Sequence, residues 1–503
     1  MVVDRETPAA SGLLSEEEGM ERLRDIRAFF DIPEDRPLNV VGIGAGAWGA
    51  VFMAMLEKQY GSLDPQRKLI NVVIWRREGK TITTEVAAQL LETINSYPDV
   101  IRRLRKRGSY IKYVEARMGD RQLTADEILR DGFCANMIHL PLCPLNVVTD
   151  LEEAVWNADI VINSLPSTDA RGVFERIGTS WKERDPNPEH WPVVISLAKG
   201  VECLTDPFPH ILTPTSVLHS VTGLPQEKLM YLGGPNIAAE VWDGRYATSR
   251  LCGAEKYRKS LAVFLRSPNF VVWDHADVIT HEVMGGLKNV YAIGAGIIAA
   301  ATDRCATSMS VYFSNACSEM VFITHLLSPE PDYLAGPLLA DTYVTLLKGR
   351  NSWYGEQLGR GLLFVEDGDS VPGKGTIQGV SATAGFYELL SHPSVEVKHP
   401  LTGEVVSPID ILPTLSALYK FLSGHDTVDL TPRSPAPFKK NRTGKVPPGL
   451  ELDREGRVKR ALEAVDDFVM AMKDASASDP SESLALSKLS HGEIYNPKLC
   501  FAD

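Results

Sequence analysis

Hydrophobic positions along this chain follow two different rhythms. From residue 38 to about 255, short unbroken apolar runs alternate with stretches whose apolar residues recur every three or four positions. The runs at Leu38–Ile43, Leu69–Trp75, Asp159–Asn163, Val193–Leu197 and Lys228–Leu232 predict strands. Trp48–Tyr60 predicts a helix, and Ala154–Ala158 the end of another. Apolar runs without polar alternation belong to strands covered on both faces, so the pattern predicts a parallel sheet sandwiched by helices. After about residue 255 the strand signals fade. Helical periodicity then covers 257–266, 277–301, 306–327, 334–348, 352–360 and 380–391, which predicts an all-helical C-terminal domain.

The same pattern sets the expected boundaries: an N-terminal extension over 1–36, a nucleotide-type α/β domain over 37–255, a helical substrate and catalytic domain over 256–430, and a linker and tail over 431–503. In the extension, Ser15 and Glu18 form a capping-box pattern, and Met20, Leu23, Ile26 and Phe30 follow at helical spacing. Pro33 and Pro37 close that helix. Arg102, Arg103, Arg105, Lys106 and Arg107 form a basic cluster in an insertion over about 100–135, expected to be a solvated helix face. Pro432, Pro435, Pro437, Pro447 and Pro448 mark the linker. Val458, Leu462, Val465, Phe468 and Met472 predict one more amphipathic helix, and Ser476–Ser487 is expected to be mobile.

Composition narrows the function classes. The chain of 503 residues is 44% hydrophobic, with a formal net charge of −13. That balance fits a globular protein and argues against a general binder of nucleic acid or of membrane surfaces. Seven cysteines without CxxC spacing point to buried thiols in a reducing compartment, and no metal site is expected. The first residues, acidic and lacking an apolar core, do not resemble a signal or transit peptide. The least polar stretch, Val290–Ala301, is too short to span a bilayer, and Lys288 and Asn289 interrupt its upstream extension. A cytoplasmic location without a membrane span is expected.

The chemistry begins at the end of the first strand. Gly44-Ala45-Gly46-Ala47-Trp48-Gly49 joins a buried strand to an apolar helix. Gly44 permits the tight turn, Gly46 lets backbone approach a pyrophosphate, and Gly49 lets the helix pack close to the sheet. The helix N-terminus then offers its N–H groups to the anion. This is the Rossmann-type arrangement. After the second strand, an acidic residue would favour NAD, but the chain has Trp75-Arg76-Arg77, with Glu78 afterwards. An arginine there can stack on adenine or hold a 2′-phosphate, so tolerance of NADP stays open.

Lys288 stands in Met284-Gly-Gly-Leu-Lys-Asn289-Val, in a helix with small or apolar residues on nearly every side. A buried ammonium needs a partner or must become neutral. Burial lowers a lysine pKa, which is one way to make a general base, and a structural Lys–carboxylate pair is the other reading. Asp341 and Thr345 are four residues apart on one helix face. Gly349 is expected to cap that helix, and Asn351 the next one, from Ser352. Arg350 would then stand at a helix N-terminus, a good phosphate position. Lys199 and Gly234-Pro235-Asn236-Ile237-Ala238 follow strand ends, where parallel sheets bind ligands.

Together these motifs carry a resemblance. Over about 38–391 the chain resembles the NAD-dependent glycerol-3-phosphate dehydrogenases, most of all the plant cytosolic kind. The match includes the glycine turn, Lys199-Gly-Val-Glu202, Gly234-Pro-Asn-Ile-Ala-Ala-Glu240, Leu287-Lys288-Asn289-Val290, the Asp341…Thr345…Arg350-Asn351 run and Gln378-Gly379. The resemblance implies interconversion of glycerol 3-phosphate and dihydroxyacetone phosphate with NAD. The apolar helical domain suggests a homodimer. The resemblance also implies Lys288 as proton acceptor, Lys199 as a second group on the same oxygen, and Asp341 orienting Lys288. Asn289, Thr345, Arg350 and Asn351 would hold the phosphate. The glycine turn with Ala45, Ala47 and Trp48, and also Arg77, Lys199, Ala238, Arg350 and Gln378, would touch the cofactor. Where many relatives carry a lysine before the glutamine and a glutamate soon after it, this chain has Thr376 and Gly379-Val-Ser381, with Lys374 nearby. The competing readings are a related two-domain dehydrogenase on another phosphorylated or hydroxy-acid substrate, and a non-catalytic NAD(H) sensor.

Overall fold

The computed structural model describes residues 14–77 apart from 62 and 65, 117–118, 121–122, 146–331 apart from 149 and 243, 336–371, 375–399, 402–423, 454–476 and 494–500. The basic cluster at 102–107, the proline-rich stretch at 432–448, Lys374, Cys134, Cys143 and residues 477–487 lie outside those residues. The chain divides into two compact units, one of residues 1–199 and 214–278, the other of 200–213 and 279–503.

The first unit is built on an eight-stranded sheet. In chain order its strands are β1 (Leu38–Ile43), β2 (Ile70–Trp75), β3 (Asn146–Val148), β4 (Ile160–Asn163), β5 (Val193–Ser196), β6 (Leu229–Gly233), β7 (Ala247–Cys252) and β8 (Phe270–His275). Their spatial order is β8-β7-β6-β5-β4-β1-β2-β3. β1 lies parallel to β2 and β4, with Val40 opposite Val72 and Ile160. Buried side chains from β1, β2, β4 and β5 fill the cores above and below, which is why these strands read as unbroken apolar runs.

Three strands go beyond the sequence reading: β3 at one edge of the sheet, and β7 and β8 at the other side. β7 pairs antiparallel to β6, and β8 parallel to β7, so the sheet extends to His275 rather than giving way to helices near 255. β7 mixes polar and apolar residues in Ala-Thr-Ser-Arg-Leu-Cys, and β8 exposes Trp273, so neither shows an unbroken apolar run. The helix Glu16–Phe29 buries Leu23 and Ile26 in the same core. Its Arg27 guanidinium donates to the carbonyls of Pro33, Arg36 and Leu69 at 2.7–2.8 Å, tying this helix to the start of the sheet.

The second unit is mainly helical, with Val278–Ala301, Ala306–Leu327, Gly336–Leu347, Arg350–Gly359, Gln378–Leu390, Pro413–Leu422 and Arg454–Ala475 as its helices. Short two-stranded pairs, such as Ser370–Val371 with Gly375–Thr376, are additions to the all-helical expectation. The Val278–Ala301 helix runs through Lys288 and is longer than the apolar stretch alone indicated. At 24 residues it is long and apolar enough to cross a membrane, but 94% of its apolar window is buried inside the protein. It is a core helix.

The Arg350–Gly359 helix crosses this core helix at a seam of glycines. A Cβ on Gly355 would lie 1.9 Å from the Ile293 carbonyl oxygen, and one on Gly296 would lie 2.0 Å from that of Ser352. Backbones can approach this closely only without side chains at the crossing. Farther along, Glu319 is buried on Ala306–Leu327 and accepts three hydrogen bonds: from Tyr291 Oη at 2.9 Å, Thr414 N at 2.6 Å and Leu415 N at 3.0 Å. It thereby caps the Pro413–Leu422 helix from another element. The strands Glu202–Leu204 and His210–Leu212 pair as a hairpin against Gln378–Leu390, and Ile211 bridges in parallel to Cys500.

Candidate active site

In the first unit the glycine turn is a shaped backbone cradle. Gly44 has φ +96°, and its N–H donates to the Trp75 carbonyl at 2.9 Å. Ser164, at the end of β4, donates its hydroxyl to the Gly44 carbonyl at 2.5 Å. A Cβ on Gly49 would lie 2.1 Å from that hydroxyl, so only glycine lets the helix approach here. Gly46 is exposed, a Cβ there would meet only the Ser164 carbonyl oxygen, at 4.0 Å, and it opens the 14-residue Ala47–Tyr60 helix without a side-chain cap. An exposed backbone at an uncapped helix N-terminus fits a pyrophosphate. Ser164 is a positioning residue that the sequence reading missed; its only signal was its place directly after an apolar strand.

Near the cradle, Ala45 and Trp48 are half-buried, and Trp48 packs its ring on Phe52 and Phe270. The two arginines after β2 differ. Arg76 is 5% exposed and its N–H donates to the Val148 carbonyl, whereas Arg77 is exposed. Lys199 follows β5, with Nζ 3.5 Å from the Gly234 carbonyl oxygen. Ala238 begins the short helix after Gly234-Pro-Asn-Ile and is half-buried.

In the second unit, Lys288 and Asp341 form a buried ion pair, their side chains 4% and 5% exposed. The core helix supplies the lysine and Gly336–Leu347 the aspartate. Thr345, one turn after Asp341, donates its hydroxyl to the Asp341 carbonyl at 2.6 Å. The ammonium meets its charge partner in a nearly fully buried site.

The Gly349 and Asn351 expectation needs correction. Gly349 is the N-cap of the second helix, at φ +155°, and that helix starts at Arg350 rather than Ser352. Asn351 is therefore in the first turn rather than capping this helix; it caps the start of the Gln378–Leu390 helix through Gly379 N. It is buried, and its amide donates to Asn289 Oδ1 at 2.9 Å while its oxygen accepts from Gly379 N at 2.9 Å. Ser352 donates to the Leu346 carbonyl at 2.7 Å, closing the turn between the two helices. Arg350 stands exposed at the first helical position, where a helix N-terminus and a guanidinium together suit a phosphate. Gln378, half-buried, opens the next helix, and Gly379 follows. A Cβ on Gly379 would lie 2.4 Å from the Asn289 carbonyl oxygen, so this helix start is locked against the core helix.

The second unit thus joins Lys288 to Asp341, and Asn289 to Asn351 and Gly379. Val201, two residues after Lys199 in the chain, packs on Gly286, two residues before Lys288. No disulfide occurs among the described residues, whose cysteines 203, 252, 305, 317 and 500 are free thiols.

Known proteins resemble this chain over most of its length. The family described as NAD-dependent glycerol-3-phosphate dehydrogenase matches through its N-terminal part over residues 132–257 and its C-terminal part over 277–410. A probable cytosolic glycerol-3-phosphate dehydrogenase [NAD(+)] of Oryza sativa subsp. japonica is 58% identical over 402 residues, which cover 80% of this chain and 85% of the relative. A cytosolic glycerol-3-phosphate dehydrogenase [NAD(+)] of Arabidopsis thaliana is 58% identical over 80% of this chain and 87% of the relative. Among solved structures, the glycerol-3-phosphate dehydrogenase of Saccharomyces cerevisiae shares the fold, with a TM-score of 0.53 at 19% identity, over 78% of this chain and 97% of that one.

Proposed function

The chain belongs to the NAD-dependent glycerol-3-phosphate dehydrogenase family, a family of oxidoreductases, and from that premise we propose that Lys288 is the group that takes the substrate's hydroxyl proton. The buried Lys288–Asp341 pair carries this reading. A lysine that only stabilised the fold would gain little from such a place, because a buried ion pair rarely offsets the desolvation of both charges. For proton transfer the same burial is useful: it excludes water and fixes the nitrogen.

The reaction interconverts glycerol 3-phosphate and dihydroxyacetone phosphate. Bound NAD supplies the acceptor for the hydride that leaves C2. As that C–H bond breaks, the C2 hydroxyl gives its proton to Lys288 Nζ, once Lys288 has lost its own, and its oxygen becomes the ketone oxygen. In the reverse direction the Lys288 ammonium donates to that oxygen. Asp341 holds Lys288 in place and stabilises its charged form. Lys199 is the second cation for the same oxygen, polarising the ketone.

The phosphate is assigned to Arg350, to the helix N-terminus at that residue, and to Asn289, Thr345 and Asn351. Because the phosphate is remote from C2, its binding energy can orient the reacting carbon. The dinucleotide is assigned to the Gly44–Gly49 turn, with Ala45, Ala47, Trp48, Arg77, Lys199, Ala238, Arg350 and Gln378 as further contacts. The cytosolic names of the relatives support a cytoplasmic location. A homodimer belongs to the same reading, and ultracentrifugation giving the mass of a single 55.3 kDa chain would remove it.

The deciding experiment is loss of NADH with purified protein and dihydroxyacetone phosphate. Wild-type turnover that Lys288→Ala abolishes is the expected result. Full turnover by Lys288→Ala would overturn the assignment of the base. A parallel NADPH arm reads the preference at Arg77.

A further inference from the structure

Three hydrogen bonds in the second unit run head to tail. Gly379 N–H donates to Asn351 Oδ1, Asn351 Nδ2 donates to Asn289 Oδ1, and Asn289 Nδ2 donates to the Gly285 carbonyl, at 2.9, 2.9 and 3.4 Å. A carboxamide is ambiguous, because its oxygen and nitrogen can exchange places with little change in shape. Here both ends of the chain are unambiguous. Gly379 N–H can only donate, and the Gly285 carbonyl can only accept. The polarity of both amides is therefore fixed from outside, and each amide keeps one N–H that the chain does not use. Asn289 and Asn351 are 8% and 7% exposed, so an amide turned the wrong way would leave like groups facing each other in a nearly dry site.

We propose that Asn351 acts on the substrate through Asn289: it locks the Asn289 amide so that its remaining N–H faces the substrate's phosphate as a donor. The inference rests on the assignment of the phosphate made above and deepens it. Gly379 anchors the relay. Its lack of a side chain lets the Gln378–Leu390 helix start come within reach of Asn351, where any Cβ would strike the Asn289 carbonyl. Gln378, the neighbouring residue, is assigned to the cofactor. The helix start that meets the cofactor is therefore also the piece that sets the polarity of the phosphate donors. Asn351 is in this respect a positioning residue.

A double-mutant cycle tests it, with Asn351→Leu and Asn289→Leu alone and together. Leucine matches asparagine in size and adds no charge. Asn351→Leu is expected to raise KM for dihydroxyacetone phosphate about tenfold, the scale of one lost hydrogen bond to an ionised group, with a smaller fall in kcat. In the Asn289→Leu background the same change should cost clearly less than in the wild type, because only Asn351's own phosphate contact is then left to lose. The Kd for NADH, read by fluorescence without substrate, should stay within about twofold in every variant, which a general loosening of the fold would not allow. Additive losses would overturn the relay and make the two asparagines independent phosphate contacts. A large change in NADH affinity would overturn it in favour of a structural role. If Asn351→Leu does not fold, Asn351→Ser, whose hydroxyl can still accept from Gly379, enters the same cycle with the same criteria. Wild-type protein that does not reduce dihydroxyacetone phosphate at all would instead refute the assigned reaction, an outcome visible before any variant is made.

Discussion

Replacing Glu319 by glutamine asks which of two opposing forces governs a buried carboxyl. Three donors converge on Glu319, and on their own they would favour the ionised form. Burial opposes them and wins, pushing its pKa from 4.5 to about 7. Tyr291 and Tyr312 beside it are themselves held well above the usual phenol range by burial. A carboxyl whose pKa is raised by folding stabilises the protein below its unfolded pKa, near 4.5, and loses that contribution as the pH rises through about 7. Linkage over this interval gives a loss of about 2.5 kcal/mol between pH 5 and pH 8. Glutamine occupies the same space and does not titrate. The melting temperature of the wild type minus that of Glu319→Gln should therefore fall by about 5–10 °C between pH 5 and pH 8, using the scale of a domain of 150–250 residues. Scanning calorimetry of both proteins at each pH measures it, and the pH dependence of all other groups cancels in the difference. Parallel curves would refute the reasoning. A difference that grows with pH would show that the three donors outweigh burial.

The remaining predictions concern the site and its supports. Asp341→Asn leaves the Lys288 ammonium buried without a charge partner. It should cost about 3–5 kcal/mol in stability and about a hundredfold or more in kcat, read by thermal melting and steady-state kinetics. Gly355→Ala places a methyl group 1.9 Å from the Ile293 carbonyl oxygen. The crossing helices must separate, at about 1–3 kcal/mol, and KM for dihydroxyacetone phosphate should rise because Arg350 and Asn351 lie on the displaced helix. An unchanged KM would mean that the seam does not position the phosphate residues.

How far the sequence could be read follows from the range of the forces involved. β1, β2, β4, β5 and β6 were legible because burial on both faces leaves an unbroken apolar run. β7 and β8 were not: Arg250 and Trp273 break the pattern at that side of the sheet. Lys288 stood out because a charge in an apolar helix contradicts its neighbours, and the structure places Asp341 against it. Asn351 was misread as the cap of its own helix, since residue type and position suited one. Its real partners, Asn289 and Gly379, are 62 and 28 residues away, and local spacing cannot report hydrogen bonds over that distance. Ser164 and Glu319 escaped notice for the same reason: each acts on backbone far from it in the chain.

The bridge between Ile211 and Cys500 bears on how the chain is made. The hairpin at 202–212 leaves the ribosome early, yet its partner strand residue follows roughly 290 residues later, or about 15–60 s at ordinary translation rates. Every strand of the eight-stranded sheet has been synthesised by His275. The α/β unit can therefore assemble while the hairpin, already translated in its midst, still lacks its partners among the late helices. An intermediate with a finished sheet and an unpaired, partly apolar hairpin is built into the order of synthesis. Ile211, fully buried at the end, stays exposed through that interval.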